Sequence, residues 1–371
     1  METFKIEGHE TIRLTLTRKN QSFGSSLPID LNFVVVEYPT YNRDEDDWNT
    51  QIYTVVAISE YAYLSGLKKI SRAVSGKTDD IIVKVLTNDL NFPKSRIITK
   101  GVVTSRFNGI ITTQSPLSAV RWLAQRTFDA NSSPFFVHST ISTGNIMIAS
   151  YVDLIAEKSY GKYVYEKTAK SGSHDSQDYA ERAQKILQLK SILSLNKLQQ
   201  AQNGGFASLA NYTDIATKTH YVRNFSLNET SGSSPFSSGI KFYTNQPTDN
   251  PVALNQLAGA SIKHVPMNSL SQGLTLDNPI AGGYAQAINR AQAYMTNSET
   301  YAHDIVLHGN FELNPGRMID VEIPKSITEI TGNSGSQRDA YLSGKYLIRS
   351  TVHSFDHGVY TTALKIIRNS N

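Results

Sequence analysis

The chain has 371 residues, 39% hydrophobic and 18% charged, which is too long for one ordinary core and apolar enough to exclude wholesale disorder. Lys and Arg total 36 against 32 Asp and Glu, and the resulting +4 is dispersed, which argues against a dedicated nucleic-acid or membrane-surface binder. Zero cysteines exclude disulfide scaffolds, thiolate zinc sites and cysteine nucleophiles.

The N-terminus, Met1 to Lys5, leads into a charged stretch without an apolar core, so no secretory signal is visible. No run of about 18 apolar residues occurs, so no membrane-spanning helix is expected and folding is expected in a cytoplasm. Ile12, Leu14 and Leu16 alternate with polar residues, and Leu31 to Val36 is rich in β-branched residues between Pro28 and Pro39, which predicts antiparallel strands. The charge run Arg43 to Asp47 reads as a solvated turn and lacks EF-hand ligand spacing. Ile52 to Ile58 returns as a strand.

Thr78 is an expected N-cap for a helix with Ile81, Ile82, Val85 and Leu86 inward. Ser115-Pro116 starts another, with Leu117, Val120, Leu123 and Phe128 on one face. Phe135 to Val137 and Ile146 to Ile148 read as short strands around Gly144-Asn145. After a loop at Lys170 to Ser173, the spacing predicts a long helix over 179–202, ended by Asn203-Gly204-Gly205.

Phe206 to Leu227 and Ile240 to Tyr243 are expected strands around a Ser/Gly-rich tip at 231–239. Pro247 to Asp277 shows no period and reads as an irregular excursion. A helix follows at 283–297, with Tyr284, Ile288, Ala291 and Met295 sharing a face. Ile305, Leu307, Phe311 and Leu313, the Asn314-Pro315-Gly316-Arg317 turn, and Ile319, Val321 and Ile323 predict a β-hairpin. A second is expected from Tyr346 to Ile367 around Asp356-His357-Gly358, with Tyr360, Thr362, Leu364 and Ile366 on one face.

Local motifs offer little chemistry. His9-Glu10 lacks the second histidine of a metalloprotease helix, and Ser173-His174-Asp175 cannot act as a triad in consecutive positions on a glycine-flanked loop. Gly282-Gly283 reads as a helix-start turn and not a phosphate cradle. His353 and His357 flank the last hairpin, where packing or hydrogen-bonding roles outweigh metal ligation. The aromatic residues fall mostly at strand positions and lack a basic stripe beside them, so no catalytic, metal or cofactor-binding residue is expected.

The segment His308-Gly309-Asn310-Phe311-Glu312-Leu313-Asn314-Pro315-Gly316 resembles the central baseplate hub of T-even-type contractile-tailed bacteriophages, related to the hub of type VI secretion spikes. In the same order, Gly8 to Ile12 looks like an early hub strand, Ile52 to Leu86 like its connection to the second domain, and Pro134 to Tyr151 like its short hairpin. Tyr284 to Tyr301 resembles the helix before the final barrel, and Lys345 to Ile367 its last strand pair.

The resemblance implies a β-rich α+β chain with two antiparallel β-barrel tube domains, an intervening α+β domain and a partly irregular insertion. The expected division is 1–75 for a first, apparently incomplete barrel, 76–202 for the α+β domain, 203–245 with 301–371 for the second barrel, and 246–300 for the insertion. It further implies a non-enzymatic homotrimer, a late virion protein of the tail baseplate assembled in the host cytoplasm. Its partners would be the cell-puncturing spike, tail tube or tube-initiator proteins and surrounding wedge proteins, with DNA passing through the ring without specific binding or membrane insertion. Three chains with two equivalent barrels each would give a pseudo-six-fold ring between three-fold spike and six-fold tube. Alternatives are the hub of another contractile injection or secretion particle, or a baseplate-associated peptidoglycan hydrolase, which would need two convergent carboxylates.

Overall fold

A computed structural model describes residues 8–16, 29–43, 51–130, 133–165, 183–193, 196–226, 258–267, 284–298, 301–325, 338–339 and 342–368. The expected features at the charge run 44–47, Ser173-His174-Asp175, the 231–239 tip, Ile240 to Tyr243 and Gly282-Gly283 lie outside the described residues. The chain is β-rich, and no described helix is long and apolar enough to cross a membrane.

Strands β1 (Thr11–Leu16), β2 (Ile29–Arg43) and β3 (Gln51–Ser59) form an antiparallel sheet in that order. Register places Ile12 opposite Phe33 and Leu14 opposite Leu31, so one face is apolar. The other carries Thr11, Arg13, Thr15 and Asp30, where Arg13 forms an ion pair with Asp30 at 2.8 Å. Both the Arg13 guanidinium and the Asp30 carboxyl are held in their charged forms, chiefly by the hydrogen bond between them.

In the next region helices and strands alternate. Helix α1 (Glu60–Leu67) leads to β4 (Ile70–Lys77), α2 (Thr78–Leu90), β5 (Ile97–Lys100), β6 (Arg106–Gln114) and α3 (Pro116–Ala124). It continues through β7 (Phe135–Ser139), β8 (Ile146–Ser150), α4 (Tyr151–Ile155) and β9 (Lys162–Val164). Ile81, Ile82, Val85 and Leu86 of α2 and Val120 and Leu123 of α3 are buried against Phe107, Ile111, Phe135 and Ile148. Each such side chain contributes about 1.5–3 kcal/mol by leaving water.

Two helix-end expectations need correcting. Lys77, not Thr78, is the N-cap; Thr78 is the first helical residue, and its hydroxyl is committed to Ser105 at 2.6 Å. Phe128 lies beyond the end of α3, where it forms a bridge with Pro134, and Leu117 faces outward. Asn91 ends α2 in the left-handed region (φ 55°), where Phe92 N donates to Leu86 O, and Asp89 receives both arms of Arg72.

The expected helix over 179–202 is overturned. Ile186–Leu193 is strand β10, and Lys197–Gln202 is a short helix (α5) beyond it. A bulge between Ile186 and Gln188 puts Ile186 and Leu189 against the same core, while Leu187, expected inward, is 40% exposed. Strands β11 (Ala207–Asp214) and β12 (Thr219–Ser226), expected in the last sheet, instead form a sheet with β13 (Ile262–Met267) in the order β12-β11-β13. The expected irregular excursion thus contains a strand, parallel to β11.

Helix α6 (Tyr284–Ser298) is present, but its buried face is Asn289, Ala293, Tyr294, Asn297 and Ser298. Its asparagines tolerate burial because Asn289 donates to the Tyr212 hydroxyl and Asn297 to Gly205 O and Ala293 O.

The last strands are β14 (Tyr301–His308), β15 (Met318–Glu322), β16 (Gly344–Asp356) and β17 (Val359–Arg368), joined with β9 and β10 in a six-stranded sheet ordered β10-β14-β17-β16-β15-β9. All six strands contribute to one core, including Tyr163, Ile186, Ile305, Ile319, Tyr346 and Leu364. The sheet's edges approach each other at one bridge, Val164 with Lys185, giving a half-barrel. Its outer face, through Ala302, Met318, Leu347 and Ile367, packs on Tyr151 and Tyr294, whose rings stack 5.4 Å apart.

The expected hairpin between β14 and β15 is also overturned, because these strands are separated by β17 and β16. Residues 309–317 carry the chain across that pair: Gly309 N donates to Tyr360 O, Thr351 Oγ1 to Leu313 O, and Gly316 N to Ile348 O. The Asn-Pro-Gly turn is real, with Gly316 at φ 85°, but it reverses the chain within a crossover. The β16–β17 hairpin is as expected, and Tyr360, Thr362, Leu364 and Ile366 share its inner face.

Candidate functional site

The crossover and the end of the β16–β17 hairpin build the most distinctive surface. β14 accompanies β17 only as far as Thr361, and β15 accompanies β16 only over Gly344 to Leu347. The hairpin therefore runs past its neighbours, and the inner-face alternation continues through His353, Phe355 and Tyr360 with no further strand among the described residues to pair beside it.

The crossover lays Phe311 across this extension. Phe311 stacks on Tyr360 at 4.7 Å, Phe355 on Tyr360 at 4.4 Å with planes 6° apart, and His353 lies 5.1 Å from Phe311. Gly309 makes the approach possible, since a Cβ there would stand inside the Tyr360 ring. His353 Nδ1 is 3.0 Å from the Tyr360 hydroxyl and 3.2 Å from Thr362 Oγ1, and burial lowers the imidazole pKa, favouring the neutral ring. Phe355 is 55% exposed and Val352 and Val359 are also open, so the tip presents apolar groups on both faces. Such a surface suits contact with another macromolecule.

The crossover is also anchored to the α+β region. Asn314 accepts from Ile141 N at 2.8 Å and donates to Ser142 Oγ at 2.7 Å, both in the β7–β8 loop. Gly316 packs against His138, whose pKa burial lowers. Arg317 sits over the Tyr160 ring at 4.8 Å and pairs with Glu312 at 3.2 Å.

A second polar group lies inside the half-barrel. His303 is fully buried, with Nε2 2.9 Å from the Tyr346 hydroxyl, which itself donates to Leu342 O. The tyrosine proton is thus committed, so His303 Nε2–H is the donor and Nδ1 faces the core with no hydrogen-bond partner. Burial, reinforced by the nearby Arg368 charge, pushes the His303 pKa down to about 4.

The remaining sequence candidates are dispersed. His9 contacts the Tyr63 hydroxyl and Glu10 accepts from Tyr38, both near the first sheet. His353 faces inward whereas His357 is almost fully exposed in the turn, bonded to Asp356, so the two rings serve different partners. Among the described residues no cluster of three or more His, Asp or Glu side chains could hold a metal ion. Phe355 and the Tyr360 stack escaped the sequence reading, although alternation running to the very turn was their available signal.

No family model matches the chain, and no curated protein matches its sequence. Similar solved structures include a tail protein from Neisseria meningitidis, with 9% identity and a TM-score of 0.49, covering 92% of this chain and 81% of that one. A 43 kDa prophage tail protein from Shewanella oneidensis has 11% identity and a TM-score of 0.47, with coverage of 92% and 77%. An E. coli component of the type VI secretion system, described as structurally similar to T4 bacteriophage tail proteins, has 11% identity and a TM-score of 0.41, covering 91% of this chain and 60% of that one.

Proposed function

We propose that this chain is a structural hub of a phage tail baseplate. In this reading three copies form a ring that joins a three-fold cell-puncturing spike to the six-fold tail tube, borders the DNA-ejection channel and contacts surrounding wedge proteins. The first β-region and the last sheet are its two tube-like units, and no residue has a catalytic, metal-binding or cofactor role.

The observation that carries the reading is the half-covered first sheet. Its apolar face leaves Ile12 and Leu14 each 41% exposed, and among the described residues neither β1 nor β3 has an outer neighbour. A sheet with open edges and an apolar face suits completion within an assembly, because association pairs the edge groups and removes the face from water. The ordered segments that resemble the hub family, and a small dispersed net charge suited to a channel that must release DNA, support the same reading.

Light scattering coupled to size exclusion tests it, on the purified chain alone and mixed with the candidate spike protein. The expected result is a trimer that forms a stable complex with the spike. A persistent monomer that ignores the spike overturns the reading.

A further inference from the structure

A cleft of about 230 Å³ opens between α5 and α6. Asn196, Gln199, Gln200 and Asn203 line one wall, at the three- and four-residue spacings that put side chains on one helical face. Gln292, Met295 and Thr296 line the other, again one face of one helix. Among the described residues the lining is five carboxamides, one hydroxyl and one thioether, with no ionisable group.

The walls are set by backbone contacts. Gly204 turns the chain after α5 at φ 75°, Gly205 N donates to Gln200 O, and Asn297 of α6 donates to Gly205 O. A Cβ on Gly205 would crowd Thr296, so this glycine lets the two helices approach. Asn196 Oδ1 is already engaged by Gln199 N, which leaves its amide N–H groups to offer.

We propose that this cleft binds a neutral sugar carrying an acetamido group. A carboxamide combines acceptor and donor groups, and each ring hydroxyl can both donate and accept, so one pyranose can pair with the exposed amides of Asn196, Gln199 and Gln292. Among the described lining residues a charged ligand would find no counter-charge for its lost hydration, and a nucleobase no ring on which to stack. Met295 supplies an apolar contact for an acetyl methyl. The volume lies below the roughly 300–1,000 Å³ of sites for drug-sized ligands and suits a single sugar ring. This inference does not depend on the hub reading.

Saturation-transfer NMR on the full chain, with N-acetylglucosamine at about 10 mM as the probe, tests it against a dissociation constant of about 1–10 mM. Transfer should be strongest at the acetyl methyl. Gln199→Leu and Gln292→Leu, which alter exposed side chains, should each weaken binding at least about fivefold with an unchanged melting curve. Absence of transfer at that concentration, transfer that both variants leave intact, or equal transfer to glucose overturns the proposal.

Discussion

The half-barrel and the first sheet are both built from alternating strands, yet only one of them encloses what it alternates. In the half-barrel, Ile305, Ile319, Tyr346 and Ile366 have no exposed surface, because six strands contribute to one interior and the two edges touch at Val164 and Lys185. In the first sheet the corresponding residues, Ile12 and Leu14, stay half open. Alternation therefore specifies which face is apolar, while strand number and curvature decide whether the face is buried.

Truncations on the two apolar faces should separate them most strongly. Ile305→Ala removes a fully buried side chain between Leu189 and Leu364 and should cost about 2–5 kcal/mol in urea unfolding. Leu14→Ala in the isolated chain should cost less than about 1 kcal/mol, because much of the side chain already meets water. Equal losses would mean that the first sheet is covered as thoroughly as the half-barrel.

The half-barrel should also be the acid-sensitive part, through His303. Its pKa falls from an ordinary 6.5 to about 4 in the fold, so above pH 6.5 neither state is protonated there and it adds no pH dependence. Between pH 6.5 and 4 the unfolded chain takes up a proton that the folded chain refuses, and stability declines by about 3 kcal/mol before levelling off. His303→Gln should remove this component. The difference between wild-type and variant unfolding free energies, followed from pH 7 to 4, checks it, and parallel profiles would show that His303 is not the group responsible.

Gly309→Ala comes next, at about 1–3 kcal/mol, since the added methyl must displace the Tyr360 ring and with it the Phe311–Tyr360–Phe355 stack. Near-ultraviolet circular dichroism should lose aromatic intensity while far-ultraviolet signal persists. An unchanged aromatic spectrum would show that the ring has room to move.

The fold was legible wherever local chemistry and long-range pairing agree. The β16–β17 hairpin is written in alternation plus a turn, and α2 and α3 in inward apolar residues. It was illegible where a distant partner decides. Ala183, Ile186, Leu187, Leu193 and Leu198 read as helical because their spacing says nothing of the pairing with β14, and Asn314-Pro315-Gly316 reads as a hairpin turn because nothing local states that β17 and β16 will lie between β14 and β15. The inward face of α6 was hidden because Asn289 and Asn297 are polar by type and buried through partners at Tyr212 and Gly205. At the candidate site, the 308–316 segment was found but not its contacts, since Phe311 meets Phe355 and Tyr360 only after the chain crosses the sheet.

The hairpin turn offers the smallest and most local test. His357 and Gly358 both have positive φ, 47° and 80°, the pattern of the turn whose twist matches a right-twisted strand pair. Glycine adopts this at little cost, whereas an imidazole-bearing residue bears a modest strain that asparagine bears less. His357 is almost fully exposed and its bonded neighbour is the adjacent Asp356, so its replacement disturbs no core contact. His357→Asn should therefore stabilise the chain by about 0.5 kcal/mol, seen as a small rise in the urea midpoint with no change in slope. A fall in the midpoint would mean that the His357–Asp356 contact outweighs the backbone preference, and that the hairpin end is held by side chains as well as by its turn.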